Sequence, residues 1–256
     1  MLNVPKGIND NMSGSATLLE LAIQLASFKT KNAIRFSWWT AEEVGLKGSQ
    51  YFISTLKKKD LDRLALYINL DMIASPNAGY FLLDGSGATH GQPGPEGSGH
   101  IEQTFAQYFN STGIKTVSLP MGGDSDHASF LEAGIPSGYI FTGAGGNMTE
   151  EEAGWYVFYN KFVLLRQPNL FSRWKGKTNV AYDACYHQPC DKIDNINLEA
   201  WVLNSKAVAH AIGVYANSLD GISRTHVAPS SHPARRTVSH PASKACGHGP
   251  YTHSLV

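Results

Sequence analysis

The sequence predicts an α/β domain in three layers, with a mostly parallel mixed sheet between helices. Three observations carry that prediction. Short apolar runs alternate with segments of helical periodicity along most of the chain. The run Leu64-Ala65-Leu66-Tyr67-Ile68-Asn69-Leu70 is almost continuously apolar, as a strand covered on both faces is. Carboxylates stand directly after two such runs, where open α/β sheets collect their functional groups.

Residues 7–14, Gly-Ile-Asn-Asp-Asn-Met-Ser-Gly, read as a loop. A helix follows over residues 15–28, because Leu18, Leu21, Ala22, Leu25 and Phe28 recur at helical spacing. Residues 33–39 read as a strand, with Ile34, Phe36 and Trp38 alternating against Arg35 and Ser37. The next helix, residues 48–58, ends among Lys57, Lys58 and Lys59, which suit the negative end of the helix dipole. Residues 64–70 form the second strand. A helix near residues 101–110, a strand over 137–142 and a helix over 198–218 complete the scheme. Two segments stand apart. Residues 154–173 are rich in aromatic residues where a loop is expected. The tail from Arg224 has five histidines among Pro, Ser and Arg and few large apolar side chains, so it cannot bury much surface.

With 256 residues, 42% hydrophobic and 16% charged, the chain has material for one sizeable core, or one domain plus a tail. Its formal net charge is zero, which argues against a nucleic-acid or membrane-surface partner. No apolar run approaches the roughly 18 residues that a spanning helix needs. The opening Met-Leu-Asn-Val-Pro-Lys has no apolar signal core, so an exported protein would carry its signal outside this sequence. Of three cysteines, Cys185 and Cys190 flank a histidine in Cys-Tyr-His-Gln-Pro-Cys. They are either a disulfide, which implies an oxidising compartment, or zinc ligands. Zinc pairs usually stand two to four residues apart beside a second pair, so the disulfide is favoured.

In Thr-Ala-Glu-Glu-Val-Gly-Leu-Lys-Gly-Ser, the adjacent Glu42 and Glu43 follow an apolar run. Neighbouring carboxylates repel unless cations or protons compensate, which a metal ligand beside a proton-accepting base would achieve. The plainer reading is a solvated pair opening a helix. Asp71 ends the run 64–70, and Asp10 lies in the loop before the first helix. Either residue could equally cap a helix or turn. His187, alone between the cysteines, gains a fixed orientation if they are bonded, which metal binding requires. Together these carboxylates and an imidazole form a mixed oxygen and nitrogen donor set of the kind zinc accepts. Ser125-Asp126-His127 is not a serine-hydrolase relay, since three consecutive residues cannot build one and no Gly-x-Ser-x-Gly elbow occurs. His127 is expected to border or pack in the pocket. Asn110-Ser111-Thr112 and Asn147-Met148-Thr149 match the glycosylation pattern, a weak signal.

Five segments, in order, resemble the M28 zinc aminopeptidases. They are Gly-Ile-Asn-Asp-Asn-Met-Ser-Gly, Thr-Ala-Glu-Glu-Val-Gly-Leu-Lys-Gly-Ser, Asn-Leu-Asp-Met-Ile-Ala-Ser-Pro-Asn, Ser-Asp-His-Ala-Ser-Phe and Cys-Tyr-His-Gln-Pro-Cys-Asp. The likeness runs over about residues 7–219 and is nearest to secreted fungal leucine-type enzymes and their vacuolar relatives. It implies a zinc-exopeptidase-like fold and a site for two Zn2+ ions. By resemblance, Asp10 bridges both ions and Glu42 is the general base. Glu43 and His187 bind one ion, and Asp71 the other. Tyr186 stabilises the oxyanion, and Cys185 pairs with Cys190. The substrates implied are peptides with free N-termini, and the compartment is extracellular, or alternatively vacuolar.

The departures from the family pattern matter equally. The family places a zinc-ligating histidine upstream of the bridging aspartate, whereas no histidine precedes His90 here. The resemblance therefore implies that N-terminal strands and one ligand are missing, and that this chain alone is nearly inactive. Asp124 stands where many bacterial members have an arginine. Residues 155–172 have no counterpart and read as an insert, giving a partial peptidase domain over 1–223 and a disordered tail over 224–256. The competing reading is a truncated inactive or non-catalytic peptide-binding relative. Retention of Glu42 argues against the second of these.

Overall fold

The structure is a computed structural model that describes residues 7–154 and 176–222. The expectations for residues 155–172, for the tail and for Cys246 lie outside the described residues. Element order is a short π-type turn (Ile8–Met12), α1 (Ser13–Leu25), α2 (Lys47–Thr55), α3 (Lys58–Leu61), β1 (Tyr67–Leu70), β2 (Phe81–Leu83), α4 (Ser98–Ser111), β3 (Val117–Leu119), α5 (His127–Glu132), β4 (Ser137–Phe141), a 3-10 turn (Ile193–Asn195) and α6 (Leu198–Asn217). The sheet order is β1-β4-β2-β3. β1 pairs with β4 and β2 with β3 in parallel, while β2 meets β4 antiparallel. The mostly parallel mixed sheet expected from the sequence is therefore present.

Strand alternation sorts the helices into two layers. Along β4, a side chain at Gly138 would collide with Ile101 of α4, so that position must stay small. Its neighbour Tyr139 stacks instead on His127 of α5, with ring centroids 5.0 Å apart. The helices α4 and α5 thus cover opposite faces. On β1, Tyr67 stacks on Phe130 of α5 at 3.7 Å. Ile68 and Leu70 point the other way, into the main core with Leu21 of α1 and Val208 of α6. Asn204 of α6 donates to Ile73 O at 3.0 Å, which fixes that helix to the chain just beyond β1.

Short elements that went unread in the sequence include α3, β2, β3 and α5. The three-residue strands β2 and β3 are too brief for a period, and six-residue α5 hides in the motif around His127. The first helix ends at Leu25 rather than residue 28, so Phe28 is exposed instead of buried. Residues 33–39 require a larger correction. Their alternation predicts a strand, but they join no strand of the sheet. A strand needs a ladder partner about 4.8 Å away, and this run is separated from the β1 edge by a groove lined by both.

Candidate active site

The turn before α1 is bound to the end of β1. Gly14 carries no side chain because a Cβ there would sit 2.5 Å from Leu70 O. Asn11 Nδ2 donates to the same carbonyl at 2.8 Å, and its Oδ1 accepts from Gly14 N and Met72 N. Asn9 is fully buried. Its backbone N–H donates to Asp191 Oδ1 at 2.8 Å, its side-chain amide to Asp183 Oδ2 at 2.7 Å and Ser75 Oγ at 3.1 Å, and its Oδ1 accepts from Ala74 N. Asp10 N–H donates to Asp191 Oδ2 at 3.1 Å. Asp10 therefore projects from a turn whose neighbours on both sides are fixed.

Three residues converge on one point. His187 Nε2 lies 3.2 Å from Asp10 Oδ2 and 2.8 Å from Glu43 Oε1. The ligand-capable atoms of Asp10, Glu43 and His187 all fall within 4.8 Å of one another. Glu43 arrives on a turn with left-handed backbone at Ala41 and Leu46, and His187 on one where its own φ is 56°. A disulfide joins Cys185 to Cys190 across that second turn, and Tyr186 stacks on the His187 ring at 3.8 Å. Glu42 and Asp71 line the same pocket, of about 560 Å3, as do Leu46, Met72 and Phe141. Asp71 accepts from Ser125 Oγ at 2.6 Å, and Ser125 accepts from Asn69 Nδ2 at 2.8 Å.

Packing carboxylates together shifts their protonation. Burial, then the charges of Asp71 and Glu43, push Asp10 up to about 8. Burial, with Asp71 and Glu43 behind it, moves Glu42 up to about 7. Asp71 rises to about 6 through burial, opposed by the Ser125 hydrogen bond and reinforced by Asp126 and Glu43. Burial and then Asp10 raise the Tyr186 phenol above its ordinary value, so it remains a proton donor. Such a site has a surplus of negative charge that a cation would relieve. Its oxygens and single imidazole are donors of the type zinc takes, so the residues fit a metal.

His127 does not belong to this cluster. It is fully buried against Tyr139, with Nε2 3.1 Å from Gly122 O. Burial lowers its pKa and keeps it neutral. It packs in the interior and does not line the pocket. The sequence reading assigned no role to Asn9, Ser125, Asn69, Asp183 or Asp191. Asn9, Asn69, Ser125 and Asp191 stood inside quoted motifs, but the contacts that give them meaning span 54 to 182 positions and leave no local signal.

Comparison with known proteins agrees with this geometry. The description "Peptidase family M28" fits residues 2–212. A probable leucine aminopeptidase 2 of Aspergillus oryzae is 42% identical over 98% of this chain and 46% of its own length. Leucine aminopeptidase 2 of Trichophyton rubrum is 39% identical over 84% of this chain and 40% of its own. The chain thus spans about half the length of these relatives. A crystal structure of a zinc aminopeptidase from Bacillus subtilis superposes with a TM-score of 0.59 at 25% identity, covering 87% of this chain and 46% of that one. With fold, motif order and sequence in agreement over most of its length, this chain belongs to peptidase family M28.

Proposed function

We propose that this chain carries the catalytic base and most of the metal ligands of a zinc-dependent aminopeptidase acting on peptides with free N-termini. The carrying observation is the convergence of Asp10, Glu43 and His187 within 4.8 Å, with Glu42 lining the same pocket but outside that group. In the roles we assign, Asp10, Glu43 and His187 would hold one Zn2+ ion, and Asp10 with Asp71 would serve a second. Zinc, when bound, polarises the scissile carbonyl and acidifies water. Glu42 accepts a proton from the attacking water and returns it to the leaving amine. Tyr186 keeps its proton and donates a hydrogen bond to the carbonyl oxygen as negative charge develops there. Leu46, Met72 and Phe141 offer an apolar wall for the first side chain. The disulfide supports an oxidising compartment, and the resemblance to secreted fungal enzymes favours extracellular over vacuolar.

The test is a chimera of the Trichophyton rubrum relative in which residues 7–222 of this chain replace the matched stretch. Chelator-sensitive hydrolysis of a leucine arylamide to leucine and the free arylamine is expected. Glu42→Gln should then lower turnover at least about 100-fold with zinc content unchanged. Loss of zinc in that variant would mean that Glu42 is a ligand, and full activity would refute it as the base.

A further inference from the structure

The turn that carries His187 is flanked on both sides by a buried carboxylate. Asp183 precedes the disulfide and Asp191 follows it directly, and each is 1% exposed. Burying a carboxylate is costly unless hydrogen bonds answer it. Among the described residues neither joins an ion pair, so N–H groups do the answering. Asp183 accepts from Cys185 N–H at 2.8 Å, Asn195 Nδ2 at 2.9 Å and Asn9 Nδ2 at 2.7 Å. Asp191 accepts from two successive peptide groups. Asn9 N–H meets its Oδ1 at 2.8 Å, and Asp10 N–H meets its Oδ2 at 3.1 Å.

The contacts of Asp191 close a ring. Its own N–H donates to Gln188 O at 3.0 Å, so its backbone belongs to the disulfide turn. From that turn the ring passes through His187, whose Nε2 lies 3.2 Å from Asp10 Oδ2, and returns through Asp10 N–H to Asp191. Asp10 and His187 therefore meet directly and are joined a second time through a buried side chain. Asp183 reaches the Asp10 turn only through the Asn9 amide, whereas Asp191 holds the peptide group of Asp10 itself. The chemistry that position 191 allows is narrow. A carboxylate offers an acceptor on each oxygen and no donor. An amide of the same shape has one acceptor oxygen, and its NH2 would face one of the two N–H groups.

We propose that Asp191 is a positioning residue for the metal centre, its two oxygens setting the spacing between Asp10 and His187. This role rests on the reading that those two residues hold zinc. Metal ligands are oriented by hydrogen bonds from the shell outside them, and loss of such a contact lowers metal affinity about 10- to 100-fold. Here the outer contact grips the ligand through its backbone and comes from the turn that supplies the other ligand. Asp191 thereby makes Asp10 and His187 one unit.

The test uses the full 256-residue chain and reads zinc affinity by calorimetric titration, with the His187→Ala chain as the blank for zinc taken up by the tail histidines. Asp191→Asn should weaken zinc binding at least about tenfold. Asp84→Asn is the comparator. Asp84 is as deeply buried and also holds two successive N–H groups, those of Thr89 and His90, but it does not line the pocket. Its variant should lower the melting temperature while zinc affinity stays within about twofold. Amide exchange in the wild-type chain gives a reading that needs no folded variant. Zinc should slow exchange at Asn9 and Asp10 together about tenfold or more, because a ligand that steadies Asp10 steadies the N–H groups held by Asp191. Unchanged zinc affinity in Asp191→Asn, equal losses of affinity in Asp191→Asn and Asp84→Asn, or no effect of zinc on the Asn9 and Asp10 amides would each overturn the role. A wild-type chain that binds no zinc beyond the blank would overturn the metal reading itself, and this role with it.

Discussion

Asp10 is directed by a residue that takes no part in chemistry. Asn9 is buried with all its polar groups engaged, and it joins the turn to Asp183, Asp191 and Ser75. Asn9→Ala leaves Asp183 and Ser75 short of a donor and Ala74 N–H short of an acceptor, so a loss of about 1–3 kcal/mol in unfolding free energy is expected, with weaker zinc binding. Chemical denaturation and zinc titration check both, and wild-type zinc affinity in the variant would remove Asn9 from the site. The carboxylates make a second prediction. The folded values of Asp10, Glu42 and Asp71 stand at about 8, 7 and 6, above their ordinary 3.8, 4.5 and 3.8. Their contribution to stability is full below about pH 4 and is lost as pH rises through the folded values. The metal-free melting temperature should therefore fall between pH 5 and 8, and saturating zinc should flatten that fall. A metal-free melting temperature that rises over this range would contradict the clustering.

The Cys185–Cys190 turn is the element that delivers His187 and Tyr186. It encloses few residues, so chain entropy alone accounts for about 2 kcal/mol. The larger effect should be on ligand position. Replacing both cysteines by serine should reduce zinc affinity at least about tenfold, while α1, α4 and α6 keep their amide protection. Unchanged affinity in the double variant would show that the surrounding fold places His187 unaided. Spacing favoured this pairing without closing off zinc ligation, because both use the same two residues, and the structure joins them. Elements long enough to show a period, α1, α4 and α6, were legible. The run 33–39 had the right alternation and still forms no ladder, since alternation records which faces are buried and not whether a neighbour is present to bond.

At the scale of the molecule, the sheet order, the antiparallel step between β2 and β4, and the separation of helices into two layers depend on contacts that no local pattern encodes. The ordered motifs nevertheless pointed to one site, because M28 chemistry keeps its donors beside distinctive neighbours such as Glu42-Glu43 and Tyr186-His187. β1, the turn before α1, the Glu42–Glu43 turn and the disulfide turn meet around the proposed metal site. The most direct measurement is anomalous diffraction at the zinc edge from crystals of the zinc-loaded chain. The account predicts a peak about 2.0–2.2 Å from donor atoms of Asp10, Glu43 and His187, and a second zinc position between Asp10 and Asp71. Zinc found only on histidines elsewhere, with no peak among these residues, would contradict it.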